Sequence, residues 1–171
     1  DAYRDQAGWP VFNRTAIHPG MYEAWKRVGP GKRIWSFSMN TYCMLPGCRF
    51  ESLFASSMSR HRGEILSGRP ENAERLLRRE GLDYFFVSTR VPIVDVLQCA
   101  PLFSPDTMKS HLDVVWTDGS HVLLTWKGQG GEALSEDWLE KYRKSLMRTR
   151  HLFGCGDEGS PFAAIGRRVS A

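Results

Sequence analysis

At 171 residues the chain has the length of one domain with a core of its own. An apolar fraction of 42%, with six Trp, five Tyr and nine Phe, excludes a disordered chain, and no run approaches the ~18–20 continuous apolar residues of a membrane-crossing helix. The net charge of +4 is too mild to mark a nucleic-acid-binding protein, and no nucleic acid is expected as a partner.

The chain opens on Asp1 with no signal-peptide pattern behind it, and is expected to be a piece of something longer or a processed product. Residues 1–17, with Gly8, Pro10 and Asn13, form an irregular entry segment. Met21, Ala24, Trp25 and Val28 then recur at helical spacing over residues 19–28, and Gly29-Pro-Gly31 stops that helix. Residues 32–38 alternate, with Trp35 and Phe37 on one face and Ile34 on the other, and predict a strand over 33–38. A loop follows at 42–47, and 49–54 is a short strand candidate. Residues 56–68 are polar and ambiguous, with Ile65 and Leu66 their one aliphatic pair.

Pro70 opens a helix over 70–80 whose Ala73, Leu76 and Leu77 share one face, and Gly81 stops it. Residues 82–88 are nearly continuous in apolar character, which predicts a strand covered on both faces. A helix ending in Gly that leads into a buried strand is the second half of a βαβ unit. Pro92 interrupts the chain, and 93–97 reads as a short helix or a strand. Ser104 then caps a helix over 105–112, with Pro105 and Asp106 in its first turn and Met108 and Leu112 toward the core.

Asp118-Gly119 between two apolar segments predicts an antiparallel hairpin over 113–126, closed by a type I′ turn. Residues 128–134 are a Gly-rich linker, and Ser135 caps a basic amphipathic helix over 135–152. Trp138, Leu139, Tyr142 and Leu146 form its apolar stripe beside Lys141, Arg143, Lys144 and Arg148. That stripe suits docking onto the domain's own sheet, and the basic face also suits a membrane surface. Residues 153–171 are a loose tail. The expected fold is α/β. A small mixed sheet has parallel strands near 33–38 and 82–88, a βαβ unit and a C-terminal antiparallel hairpin, with helices packed on its faces over a domain of 18–127.

No G-x-G-x-x-G follows the first strand to cradle a phosphate, and no G-x-x-x-x-G-K-[ST], no G-x-S-x-G nucleophile elbow and no H-E-x-x-H occurs. No catalytic residue is assigned and no cofactor is expected. His18, His61, His111, His121 and His151 are scattered without metal-ligand spacing, and no metal is expected. His121, just past the hairpin turn, is expected to be exposed. Asp83 marks the entry to its strand, hydrogen-bonded to nearby backbone.

Ligands of open α/β sheets bind outside the carboxyl ends of the strands. The candidate ligand-binding residues are therefore Asn40, Thr41 and Tyr42 beyond the first strand, and Ser88, Thr89 and Arg90 beyond a later one. Arg90 offers a guanidinium fork for phosphate or carboxylate. The competing reading of these six is ordinary polar loops. Cys43 and Cys48 enclose a turn-like Met-Leu-Pro-Gly spacer, a possible disulfide in an oxidising compartment, with free thiols as the alternative.

Four phrases carry a resemblance. They are Arg62-Gly-Glu-Ile-Leu running to the helix at Pro70, then Gly-Leu-Asp-Tyr-Phe-Phe-Val-Ser (81–88), Pro-Leu-Phe-Ser-Pro-Asp (101–106), and Trp-Thr-Asp-Gly (116–119) with Leu-Leu-Thr-Trp (123–126). Together, over roughly 18–127, they resemble the soluble tail region of large bacterial multi-pass membrane proteins similar to GT-C-type glycosyltransferases, which use lipid-phosphate sugars. In that class the catalytic acids lie in loops between membrane helices, so none carries over to a residue here. The resemblance implies a non-catalytic domain on the extracytoplasmic, periplasmic face of the inner membrane. Its partner would be its own transmembrane region, and its task to position an acceptor or the lipid-linked donor. A periplasmic setting also suits a Cys43–Cys48 bridge. The alternatives are a stand-alone sugar- or nucleotide-binding module or enzyme acting at the strand ends, or a protein-interaction domain.

Overall fold

The computed structural model describes residues 23, 26–29, 31–36, 49–51, 61–89 and 100–153. Glu23 and residues 26–28 are helical, inside the segment where the first helix was expected. The strands are β1 (Arg33–Ser36), β2 (Arg49–Glu51), β3 (Tyr84–Ser88), β4 (Leu112–Thr117), β5 (His121–Trp126) and β6 (Glu132–Ala133). The helices are α1 (Arg62–Ser67), α2 (Pro70–Arg79), α3 (Pro105–His111) and α4 (Glu136–Phe153), with a 3₁₀ turn at Pro101–Phe103. They form an α/β fold on one mixed sheet of order β2-β1-β3-β5-β4-β6.

The expected parallel pairing is present, with Trp35 opposite Phe85 and Ser36 opposite Phe86. β2 also runs parallel to β1, so α1 and α2 connect β2 to β3 with β1 between them. From β3 onward the sheet is antiparallel, because the hairpin reverses direction within a few residues where a parallel return needs a crossover. Trp35, Phe85, Leu124 and Val114 lie in one register row across four strands. That row faces the helices and anchors the core.

Phe85 is the hub of this layer. Its ring meets Phe103 at 5.1 Å and Trp126 at 5.0 Å, both edge-to-face. Trp126 donates its indole N–H to the Leu82 carbonyl at 2.9 Å, and Tyr142 donates its hydroxyl to the Phe103 carbonyl at 3.0 Å. The other sheet face carries Ile34, Phe86 and Leu123, which are also buried. β3 and β5 are therefore covered on both sides, the physical reason for their unbroken apolar character.

Local signals explain the helices. The Ser104 hydroxyl oxygen accepts from the Thr107 N–H at 3.4 Å, and that of Ser135 accepts from the Trp138 N–H at 3.2 Å. At the end of α2, Gly81 N–H bonds the Arg78 carbonyl and Leu82 N–H bonds the Leu77 carbonyl, the paired bonds of a Schellman motif. α3 stops one residue earlier than expected, because Leu112 is already extended and opens β4.

α1 was not legible in the sequence. Among its described side chains only Ile65 is fully buried, too little for a helical period to show. The Gly-rich segment read as a linker contains β6, which pairs with β4 at Asp113 and Val114. Asp113 secures it: buried in the sheet, this carboxylate accepts from Gly128 N–H at 2.9 Å and meets the Lys127 ammonium at 3.3 Å. The apolar stripe of α4 is docked into the core, with Trp138, Leu139, Tyr142 and Leu146 all buried.

Candidate functional site

Because β1 and β3 are parallel, their carboxyl ends lie on the same side of the sheet. The hairpin tip lies there too, since antiparallel pairing sets His121, the first residue of β5, opposite Ser88, the last of β3. Ser88 and Thr89 therefore neighbour residues 118–121. Asn40, Thr41, Tyr42, Arg90, Cys43 and Cys48 lie outside the described residues, as does the short element expected at 93–97.

Thr89 is committed to the hairpin. Its backbone N–H and its hydroxyl both donate to the Ser120 carbonyl, at 2.8 and 3.0 Å. Ser88 is buried beside His121. The expected exposure of His121 is incorrect: it is 1% exposed. Its ring stacks on Phe86 with centroids 5.9 Å apart and planes 10° from parallel, and Nδ1 lies 2.8 Å from Asp118 Oδ2. Position next to a turn does not decide exposure. The register does, by setting the His121 side chain on the sheet face that holds Phe86.

The turn also differs from the expected type I′. That type needs positive φ at both central residues, and no non-glycine described here has one. Asp118 N–H bonds the His121 carbonyl, so the central pair is Gly119-Ser120 with positive φ confined to Gly119 (84°), the sign pattern of a type II′ turn. Asp118 instead acts through its carboxylate, which accepts from Ser120 N–H at 2.9 Å and His121 N–H at 2.7 Å.

Burial pushes the Asp118 carboxyl up, but hydrogen bonds from the His121 backbone and ring and from Ser120 N–H, with the attraction of the His121 ring, outweigh it and hold the group below its ordinary 3.8. A carboxyl depressed on folding contributes stability above its unfolded pKa and loses it as pH falls through the folded one. Asp118→Asn is therefore expected to cost about 1 kcal/mol at neutral pH, a modest figure because the carboxylate is partly solvated. The difference should close below about pH 4. Urea unfolding of both proteins at pH 7 and pH 3 checks this, and an equal gap at the two pH values refutes the ionic role.

A second polar cluster joins α2 to the sheet. Glu74 receives the Arg78 guanidinium at 2.7 Å and faces His111 Nδ1 at 2.5 Å, while Arg78 lies over the Trp126 ring at 4.8 Å. His111, Glu74 and Arg78 are all part-buried, and their arrangement closes the seam between α2 and the start of the hairpin. Sequence reasoning missed it because Glu74 and His111 are 37 positions apart. Asp83 directly precedes β3, and the bond it makes there is through its main chain: its carbonyl accepts from the Thr125 hydroxyl at 3.1 Å.

The basic face of α4 is mixed in charge. Lys141 pairs with Asp137 at 2.6 Å, Arg143 with Glu140 at 2.6 Å and Lys144 with Glu140 at 3.6 Å. The Arg143 hydrogen bond is the main reason the Glu140 carboxyl lies below its ordinary range. Among the described residues no three His, Cys, Asp or Glu side chains gather as metal ligands, and no helix is long and apolar enough to cross a membrane. Comparison with known proteins finds no matching family model, no similar curated protein and no similar solved structure.

Proposed function

We propose that this chain is a non-catalytic accessory domain of a membrane-embedded glycosyltransferase-like protein, held on the extracytoplasmic face and positioning an acceptor or a lipid-linked sugar donor. One observation carries the reading. The phrases at 81–88, 101–106 and 116–126 are the contiguous centre of the fold: β3 pairs β5, β5 pairs β4, and Phe103 packs on Phe85. The residues that carry the resemblance are therefore the ones that build the centre of the domain, which supports reading it as a property of the whole domain. The use of Thr89, Ser120, Asp118 and His121 to bind the hairpin to β3 supports a scaffold role at the strand ends.

Membrane contact in this reading is electrostatic, through Lys141, Arg143, Lys144 and Arg148 on the outward face of α4, because its apolar stripe is inside the domain. The test is membrane topology of the intact gene product, using a C-terminal alkaline phosphatase reporter with carbonate extraction of membranes. An extraction-resistant protein with an active reporter is expected. A carbonate-soluble product would remove the membrane context, and transferase activity in the isolated 171-residue chain would overturn the non-catalytic role.

A further inference from the structure

An open groove of about 320 Å³ runs between α1 and α2, lined by Glu64, Gly68, Asn72, Arg75, Leu76 and Arg79. It falls at the lower end of the roughly 300–1,000 Å³ typical of small-molecule pockets. On α2, Asn72, Arg75, Leu76 and Arg79 recur at spacings of three and four and share one stripe. Its polar members lie apart from Ala73 and Leu77, which enter the core together with Leu76, and from Glu74 and Arg78, which close the seam with His111. Leu76 is 5% exposed and supplies an apolar floor. Gly68 lets the chain turn tightly out of α1, since a Cβ there would lie 2.2 Å from the Glu64 carbonyl oxygen of that helix's own last turn.

The groove's polar groups are largely uncommitted. Arg78 is held by Glu74 at 2.7 Å, whereas Arg79 approaches Glu80 only at 4.0 Å, and Arg79 is 68% exposed. Arg75 and Asn72 are exposed, and among the described residues neither side chain has a hydrogen-bond or ion-pair partner. Two guanidinia one helical turn apart suit a phosphate group, whose oxygens match the guanidinium fork. The Asn72 carboxamide both donates and accepts, and Glu64 across the groove accepts only, which suits hydroxyl groups. Glu64 also repels an anion, so it sets the ligand's direction: phosphate toward the arginines, hydroxyls toward the opposite wall.

We propose that this groove binds the phosphate ester of a sugar or other polyol, with the phosphate on Arg75 and Arg79 and hydroxyls on Asn72 and Glu64. The proposal stands apart from the membrane reading, since a soluble sugar phosphate and a lipid headgroup present the same chemistry. Calorimetric titration of the 171-residue chain with glucose 6-phosphate and with inorganic phosphate tests it, beside sedimentation with phosphatidylglycerol–phosphatidylcholine vesicles.

Saturable binding of glucose 6-phosphate is expected, stronger than that of inorganic phosphate. It should weaken at least about tenfold in Arg75→Gln/Arg79→Gln, whose exposed positions preserve the fold, and remain unchanged in Lys32→Gln, an exposed residue ahead of β1. Vesicle binding that the double variant loses, without binding of the soluble ester, would support the site with a lipid headgroup as its source. Equal affinity for inorganic phosphate and glucose 6-phosphate would overturn the hydroxyl contacts. Binding that the double variant retains, or no binding of any probe, would overturn the site.

Discussion

Trp126→Ala is expected to destabilise the domain by about 3–5 kcal/mol, the range for emptying a buried aromatic site. Trp126 is fully buried, packs edge-on to Phe85, receives Arg78 over its ring and donates to the Leu82 carbonyl. Its removal opens a cavity where α2, β3 and β5 meet, and leaves a buried carbonyl without its donor. Against a total stability of about 5–15 kcal/mol, the loss is a large share. Trp126→Phe should keep most of the packing and still cost about 1–3 kcal/mol through the orphaned Leu82 carbonyl.

Trp138 supplies the contrast. It is also buried and stacks on Tyr142 with centroids 5.1 Å apart, but its indole N–H is the one buried side-chain polar atom without a partner among the described residues. Trp138→Phe removes that unsatisfied donor along with some packing, so its net effect should be well below that of Trp126→Phe. Urea midpoints of the three variants decide the matter. Equal losses for the two Trp→Phe changes would show that the Leu82 hydrogen bond contributes nothing distinctive.

Tyr142→Ala should cost a similar ~3–5 kcal/mol, and it tests a different seam. The side chain is fully buried between Trp138 and the 3₁₀ turn, where its hydroxyl reaches the Phe103 carbonyl. Without it α4 loses both its central packing and its polar anchor to the sheet layer. The expected result is proteolytic cleavage of α4 ahead of the sheet core. Tyr142→Phe, which keeps the ring, should lose only about 1 kcal/mol. Cleavage of α4 at an unchanged rate in Tyr142→Ala would mean that the helix is held by its ends and its ion pairs. It would then be free to offer its apolar stripe to a membrane, against the docked arrangement seen here.

The sequence by itself determined the parts whose causes are local. Pro70 and the Gly81 stop bound α2, Ser104 and Ser135 cap their helices, and the apolar residues of β3 mark a strand buried on both sides. Asp118-Gly119 announced the hairpin, since each of these signals acts within a few residues. Only the tertiary structure decided what depends on distant partners. Which residues of that turn are central follows from how β4 and β5 pair, and His121 is buried because β5 sets it opposite Ser88 on the face of Phe86.

α1 and β6 form for the same reason. A six-residue helix anchored by Ile65, or two residues at a sheet edge, become regular only when α2 and β4 are there to pack or pair with them. The groove of Asn72, Arg75 and Arg79 is likewise a product of assembly. Their spacing is legible in the chain, but the wall that makes them a groove is α1, and local periodicity carries no information about what a helix packs against.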